Sequence, residues 1–449
     1  MIGDALKDEQ PNNTTPLQKL QASLHAKAKR EPGFRFYALY DKTYRADVLQ
    51  AAWEHCLKNG GAPGVDEQTF ADVKAYGVER WLGEVAEELK TKQYAPRPIR
   101  RVYVPKENGE QRPLGIPTIK DRVVQTALLL ILEPIFEADL PDEQYAYRAG
   151  RSALDAVQLV HQLLAQGHRE VVDADLSSYF DSIPHAELMQ CLARRISDKA
   201  VLHLVKLWLV APVEEKDRRG RVQRTTQNKD TKRGTPQGAP LSPLLANLYL
   251  RRFVLGWKKL GHEQRFQSRI VSYADDFVIL CRRSADQALI AMRDLMHRLK
   301  LTVNEKKTRV CQAASDSFEF LGYTFGRLHS PRTGGAYWGA RPARRKVQRV
   351  CREVSNLTSK LPPFVEPKVV VQRVNRLLRG WANYFSYGTT SPAYRAVHRH
   401  AVGRVRSWLQ RKFDVRGRGC GRFPDKYLEE TLGLLNLTKR RSNFSSVKA

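Results

Sequence analysis

Adjacent carboxylates at Asp275 and Asp276 lie in the string Tyr273-Ala274-Asp275-Asp276, between the apolar runs Ile270-Val271-Ser272 and Phe277-Val278-Ile279-Leu280. The pattern predicts two strands joined by a tight turn that carries both acids. Another apolar run, Glu170-Val171-Val172-Asp173-Ala174-Asp175-Leu176, predicts a further strand ending in acid. Ionised carboxylates on buried strands are costly unless paired or bound to cations. Several that converge offer the hard oxygen donors that magnesium takes, with water and phosphate completing its shell. Two such ions about 4 Å apart activate an attacking hydroxyl and stabilise a leaving phosphate oxygen. Taken alone, Asp-Asp suits an ordinary turn equally well. Asp173 and Asp175 share a strand face, so both could point at the ions and the residues alone leave open whether Asp173 joins.

Cationic and polar groups of suitable chemistry lie elsewhere. Arg100 to Pro105 and Arg112 to Ile116 read as strands around the turn Glu107-Asn108-Gly109-Glu110. Lys106 and Arg112 then project from one β-ribbon, a point charge and a bidentate fork able to close over a triphosphate. A solvated hairpin is the plainer reading of the same residues. Gln237 sits in the turn Gly234-Thr235-Pro236-Gln237-Gly238 with an amide that both donates and accepts.

The elements that must hold these groups follow from periodicity. Residues 1–18 are polar and read as an unstructured lead. Helices are expected over Leu17–Arg30, Tyr44–Leu57, Asp121–Glu137, Ala186–Arg195, Ala200–Leu209, Ser242–Phe253 and Ala285–Leu299. Val213–Lys232 reads as an exposed charged loop, and strands are expected near Thr302 and over Phe318–Phe325. From Pro331 to Cys420 there are 20 Lys/Arg against 3 Asp/Glu, on helical segments near 341–359, 367–386 and 392–413. His398 and His400 fall on this basic stretch and are expected to be exposed rather than to bind metal.

Over the whole chain, 76 basic against 47 acidic residues give +29, a charge that an anionic partner relieves. Nucleic acid is the usual one, since each neutralised phosphate releases counterions. Six scattered cysteines without a Cys-x-x-Cys pair argue against a zinc ribbon or a disulfide framework, and for a reducing compartment. The longest apolar run, Ala127–Ile135, contains Glu133 and Pro134 and is too short to span a bilayer, so no membrane partner is expected.

The order of motifs resembles the group II intron-encoded reverse transcriptases, or maturases. It runs from Gly61-Ala62-Pro63-Gly64-Val65-Asp66 through Val104-Pro105-Lys106, Arg112-Pro113-Leu114-Gly115-Ile116-Pro117 and Tyr147-Arg148-Ala149-Gly150-Arg151-Ser152. Asp175-Leu176-Ser177-Ser178-Tyr179-Phe180-Asp181, the Pro236-Gln237-Gly238 turn, Tyr273-Ala274-Asp275-Asp276, Asn304-Glu305-Lys306-Lys307-Thr308 and Phe320-Leu321-Gly322-Tyr323 follow. Arg379-Gly380-Trp381-Ala382-Asn383-Tyr384-Phe385 resembles the maturase signature. Two departures, Tyr147-Arg148-Ala149-Gly150 for the commoner Phe-Arg-Pro-Gly and Ala239-Pro240-Leu241 after the glutamine turn, remove no catalytic group.

The resemblance implies an α+β right-hand polymerase, with fingers and a palm bearing an antiparallel catalytic sheet, followed by an all-α thumb/maturase domain. The implied divisions are a lead at 1–18, fingers and palm at 19–330, thumb at 331–413, and a short basic DNA-binding tail at 414–449. It implies catalysis by Asp175, Asp275 and Asp276, these and the Leu176 carbonyl holding two magnesium ions, for which manganese substitutes. Phe180 is implied as the gate against a ribose 2′-hydroxyl, and Lys106, Arg112, Gln237 and Lys307 as nucleotide contacts, Lys307 near the departing pyrophosphate. Arg148 and Arg151 would touch template or brace the fingers. Arg341, Arg344, Arg345 and Lys346 would track nucleic acid from the thumb's first helix, and Arg376 and Arg379 would contact phosphates, while Trp381 and Phe385 share a packing face.

The implied activity is RNA-directed DNA synthesis that aids splicing and mobility of an intron by target-primed reverse transcription. Partners would be RNA template, intron RNA, DNA primer or target and deoxynucleotides, with a homodimer left open. The setting would be a bacterial-type cytoplasm, associated with the nucleoid when acting on DNA. No His-Asn-His endonuclease module is expected. A domesticated or defence-associated reverse transcriptase without an intron, and a splicing maturase with vestigial polymerase activity, are the alternatives.

Overall fold

The computed structural model describes residues 14–105, 109, 111–217, 219–330, 333–417 and 419–440. Among these, eleven strands occur: β1 (Ile99–Pro105), β2 (Gln111–Ile116), β3 (Glu170–Asp175), β4 (Val213–Lys216), β5 (Val222–Thr225), β6 (Ser268–Tyr273), β7 (Asp276–Cys281), β8 (Arg309–Gln312), β9 (Phe318–Phe320), β10 (Tyr323–His329) and β11 (Ala336–Pro342). Helices outnumber them, and the fold is α+β. Two compact units form. One comprises the chain up to Ala149 with Leu176–Leu260 and Met292–Asn304; the other comprises Gly150–Asp175, Gly261–Ala291 and the chain from Glu305 onward.

In the first unit, helix Ile119–Glu137 is apolar all round its middle, and Val123, Val124, Ala127, Leu128, Ile131 and Leu132 are fully buried. A helix of that kind must be enclosed. Helix Pro16–Arg30 takes in the last three residues of the expected lead, because Thr15 and Gln18 form a capping box and Pro16 suits the first turn. The sheet of this unit has the order β2-β1-β4-β5. Its last two strands, with the short helix Gln227–Thr231, replace the exposed loop expected over Val213–Lys232. Charged residues hid them: Glu214 pairs with Arg224 and Glu215 with Gln223, so the ribbon is polar on its faces while its backbone is satisfied by pairing.

The second unit carries an antiparallel sheet of order β6-β7-β3-β8. Its strand β7 runs Phe277-Val278-Ile279-Leu280-Cys281 with every side chain buried, as expected of a strand held between two neighbours and covered on both faces. No strand forms at Thr302; the pairing goes instead to β8, seven residues later. A second sheet, β11-β10-β9, continues across residue 331, where a change to helices was expected.

Helices Arg344–Lys360, Pro367–Tyr384 and Ser391–Lys412 follow, each turning an apolar stripe inward around Val354, Val371, Leu378, Val405 and Trp408. The segment after them is packed on the same core through Phe423, Leu428, Leu434 and Leu437, so it is part of this bundle as far as Arg440. Among the described residues no helix is long and apolar enough to cross a membrane.

Candidate active site

The turn between β6 and β7 closes with two residues, Tyr273 pairing with Asp276 across it. Ala274 pays a left-handed φ of 58° for that closure, a conformation disfavoured for a residue with a Cβ. Asp275 thereby stands at the tip and Asp276 starts β7. Asp276 lies directly opposite Asp175 in the β3–β7 register, and Asp173 lies opposite Val278. Directly opposed residues share a sheet face, so Asp173, Asp175 and Asp276 share one.

Their electrostatics are those of acids crowded out of water. Burial, then the charges of Asp173, Asp175 and Asp275, push Asp276 up to about 7. Burial also raises Asp173 to about 6, against the pull of Arg309, whose Nε lies 3.7 Å from its Oδ2. Lys307 Nζ donates to Asp175 Oδ2 at 3.0 Å. Asp173 and Asp175 thus each meet one cation, and with Asp275 and Asp276 they form a donor set whose chemistry fits hard divalent ions. Among the described residues, however, no three acids, imidazoles or thiols are drawn into metal-coordinating range. Sequence reasoning missed Arg309 because β8 was not foreseen; once β8 pairs with β3, Arg309 falls opposite Asp173.

Within the first unit, Phe180 and Gln237 are drawn together. Ser178 adopts a left-handed φ of 47° and starts the short helix Tyr179–Ser182. Tyr179 is buried and its hydroxyl donates to the Ala246 carbonyl at 2.6 Å, whereas Phe180 remains half-buried. The Phe180 carbonyl accepts from Thr235 N at 2.8 Å, and Gln237 Nε2 donates to Asp181 Oδ2 at 3.1 Å. Gly115 N in turn donates to the Gln237 carbonyl at 2.6 Å, which ties the glutamine turn to the base of the β1–β2 ribbon. That approach needs two glycines: a Cβ on Gly238 would lie 2.4 Å from the Gly115 oxygen, and one on Gly115 would lie 2.9 Å from Ile99. Arg112 is exposed on β2, opposite Val104, while Lys106 lies outside the described residues. Leu176 is buried and bridges Val303. Asp181 was not singled out from sequence; its position next to Phe180 was the available clue.

Several expected nucleic-acid contacts are relocated. Arg148 is buried: its guanidinium donates to both Glu137 oxygens and to the carbonyls of Pro141 and Gln144, so it braces the protein and offers no surface to nucleic acid. Arg151 is half-buried just before helix Ala153–Ala165. Arg341 is exposed but lies on β11, not on the helix that begins at Arg344. Arg344 is exposed, Arg345 is exposed yet ion-paired with Glu319 at 2.6 Å, and Lys346 is half-buried. Arg376 and Arg379 are exposed on one helix, whose Trp381 packs on Phe385 at 5.1 Å between centroids. His398 is buried, with Nε2 3.1 Å from Glu429 Oε1, and His400 bonds Ser355. Neither is the exposed side chain expected: the segment beyond Phe423 folds back over His398, and helix Arg344–Lys360 packs against His400 through Ser355.

Carboxylates at the adjoining ends of antiparallel strands, a basic ribbon tied to a glutamine turn, and a basic helical bundle define a polymerase-type chain of palm, fingers and helical C-terminal module. Residues 104–325 match the family described as reverse transcriptase (RNA-dependent DNA polymerase), and residues 347–422 match the group II intron, maturase-specific domain. The chain belongs to the reverse transcriptases of the group II intron maturase family. It is 34% identical over 353 residues to Protein YkfC of Escherichia coli, covering 70% of this chain and 89% of that one. Identity to the group II intron-encoded protein LtrA of Lactococcus lactis is 27% over 402 residues, 75% of this chain and 64% of the relative. To the putative COX1/OXI3 intron 1 protein of Saccharomyces cerevisiae it is 27% over 330 residues, 62% of this chain and 38% of that protein. The chain therefore spans less than two thirds of either intron-encoded relative.

Proposed function

We propose that the chain synthesises DNA on an RNA template by a two-metal mechanism and that its basic helical module binds structured intron RNA, aiding splicing and mobility. The observation that carries the polymerase reading is Asp175 opposite Asp276 in register, next to the Asp275 turn, within the span that matches the reverse transcriptase family. Asp175, Asp275 and Asp276, with the Leu176 carbonyl, would hold two magnesium ions. When bound there, the ions would supply activation of the primer 3′-hydroxyl and stabilisation of charge on the leaving oxygen.

The chain's own groups position and bind. Lys106 and Arg112 hold the triphosphate from the ribbon, and Gln237, oriented by Asp181, contacts the nucleotide. Phe180 excludes a 2′-hydroxyl by its ring. Lys307 passes from Asp175 to the departing pyrophosphate and gives it a proton. With the reactants so held, most of the rate comes from orientation and electrostatics. Arg344, Arg376 and Arg379 offer exposed charge to RNA phosphates.

Purified chain, magnesium, deoxynucleotides and a DNA primer annealed to RNA test the first half. Primer extension that vanishes in Asp275→Ala supports it, and parent and variant that are equally inert refute it. Acceleration of group II intron splicing by the protein tests the second half.

A further inference from the structure

Helices Arg344–Lys360 and Pro367–Tyr384 are joined by Leu361-Pro362-Pro363-Phe364-Val365-Glu366. In this connection the Phe364 side chain is 85% exposed. A ring left in water forgoes the stabilisation that burial brings, and a loose loop would be the ordinary excuse. The connection is not loose. Pro362 and Pro363 fix two backbone angles. Trp408 Nε1 donates to the Leu361 carbonyl at 2.9 Å, Lys412 Nζ donates to the Pro363 carbonyl at 2.8 Å, and Val365 N donates to the Pro362 carbonyl at 3.2 Å. Leu361 is buried and Val365 packs against the bundle core. The chain on either side is therefore anchored and its aliphatic side chains point inward. Pro363, Phe364 and Glu366 are exposed, and the ring is the largest apolar side chain among them.

Its surroundings indicate what it meets. Lys412 reaches the neighbouring carbonyl, Arg411 Nη2 donates to the Thr358 carbonyl at 2.7 Å, and Lys360 and Lys368 stand at the adjoining helix ends. Against these four cations stand Glu366 and Asp414. The next exposed aromatic, Phe413, is 40% exposed and its ring is flanked by Lys412 and Arg422 at 5.6 Å each. The centre of a protein-docking surface is depleted of charge, whereas Glu366 and Lys368 are exposed beside Phe364 and Lys412 is held at the Pro363 carbonyl. A flat ring among cations is the arrangement that stacks a base while neighbouring charges take its phosphates.

We propose that Phe364 is a stacking platform for an unpaired nucleotide of a single-stranded nucleic acid, with Lys412 and Arg411 taking the adjacent phosphates. The proposal rests on the RNA-binding reading above and adds to it a base-stacking site at the far tip of the helix pair. The full chain is tested with an RNA hairpin that is blunt or carries a single-stranded tail containing 2-aminopurine. Phe364→Ala should weaken binding of the tailed hairpin roughly tenfold, the scale of one lost base stack. It should also abolish the quenching of 2-aminopurine, and it should leave blunt-hairpin affinity and the thermal melt of the protein unchanged. Phe364→Trp should retain both tail signals. Equal tailed affinity in Phe364→Ala overturns the proposal, as does an equal loss for blunt and tailed RNA. Self-association lost in Phe364→Ala without any RNA effect also overturns it, assigning the ring to a second copy. Primer extension by the parent is scored separately, so an inert polymerase would not be mistaken for a failed stacking site.

Discussion

The sheet β6-β7-β3-β8 and the helical bundle from Arg344 onward handle charge in opposite ways. In the sheet, Asp173, Asp175 and Asp276 share one face at the end of fully buried apolar strands, and burial with mutual repulsion lifts two of them toward neutrality. In the bundle, Arg344, Arg376 and Arg379 stand in solvent on helices whose inner faces are apolar. Charges taken out of water interact strongly and each is indispensable; solvated charges act additively and are screened by salt. The difference separates a place for chemistry from a place for grip.

The sharpest way to break that division is to remove one acid. Asp275→Ala should lower primer extension by 10³-fold or more, on the scale of lost electrostatic stabilisation, while RNA affinity stays within about twofold. Extension assays and filter binding on the same preparations read the two arms. A parallel fall in RNA affinity would show that the regions are not separable.

The next effect is structural. Gly388 has a φ of 76°, and a Cβ there would lie 2.0 Å from the Ala340 oxygen, which Thr389 N also bonds at 2.7 Å. Gly388→Ala must both strain the backbone and push β11 away. A loss of about 3 kcal/mol is expected in denaturant unfolding, whereas Gly380→Ala, with open space around it, should cost little.

How much of this was legible beforehand depended on which signal each element carries. The β6–β7 hairpin was readable because an uninterrupted apolar run on either side of two acids has few other meanings. Helices Pro367–Tyr384 and Ser391–Lys412 were readable from their period. Strands β4 and β5 were not, since Val222-Gln223-Arg224-Thr225 is held by backbone pairing and buries no side chain. For Arg148 the bracing alternative is the one the structure favours, through Glu137, while His398 misled because polarity suggests exposure and Glu429 reaches it only in the folded chain. Partners supplied by tertiary structure leave no local trace.

A smaller effect tests the bundle's side of the comparison. Arg376→Ala with Arg379→Ala should weaken RNA binding about tenfold at moderate salt and lower the salt slope by roughly 2, one for each phosphate contact. Extension at saturating template should fall far less than in Asp275→Ala. An unchanged salt slope would remove both residues from the RNA surface.

The smallest expected effect concerns His161, which joins helix Ala153–Ala165 to β11 and to the segment that follows Phe385. Its Nε2 lies 2.8 Å from the Trp338 carbonyl, so that nitrogen donates, and Nδ1 at 2.7 Å then accepts from the Tyr387 hydroxyl. The neutral ring satisfies both partners. Burial lowers its pKa below the usual 6.5, with the Trp338 bond opposing in part. Since the unfolded chain protonates first, the contribution of this histidine is complete above pH 6.5 and is lost as pH falls through the folded value. His161→Phe should cost about 1 kcal/mol at pH 8, where two hydrogen bonds disappear. The gap between variant and parent should then narrow on acidification, as the parent alone loses the neutral ring's advantage. Denaturant midpoints of the two proteins between pH 8 and 5 measure it, and the difference isolates His161 from His168 and His400, whose pKa values burial also lowers. A gap that is constant with pH would mean that His161 holds its place by shape alone.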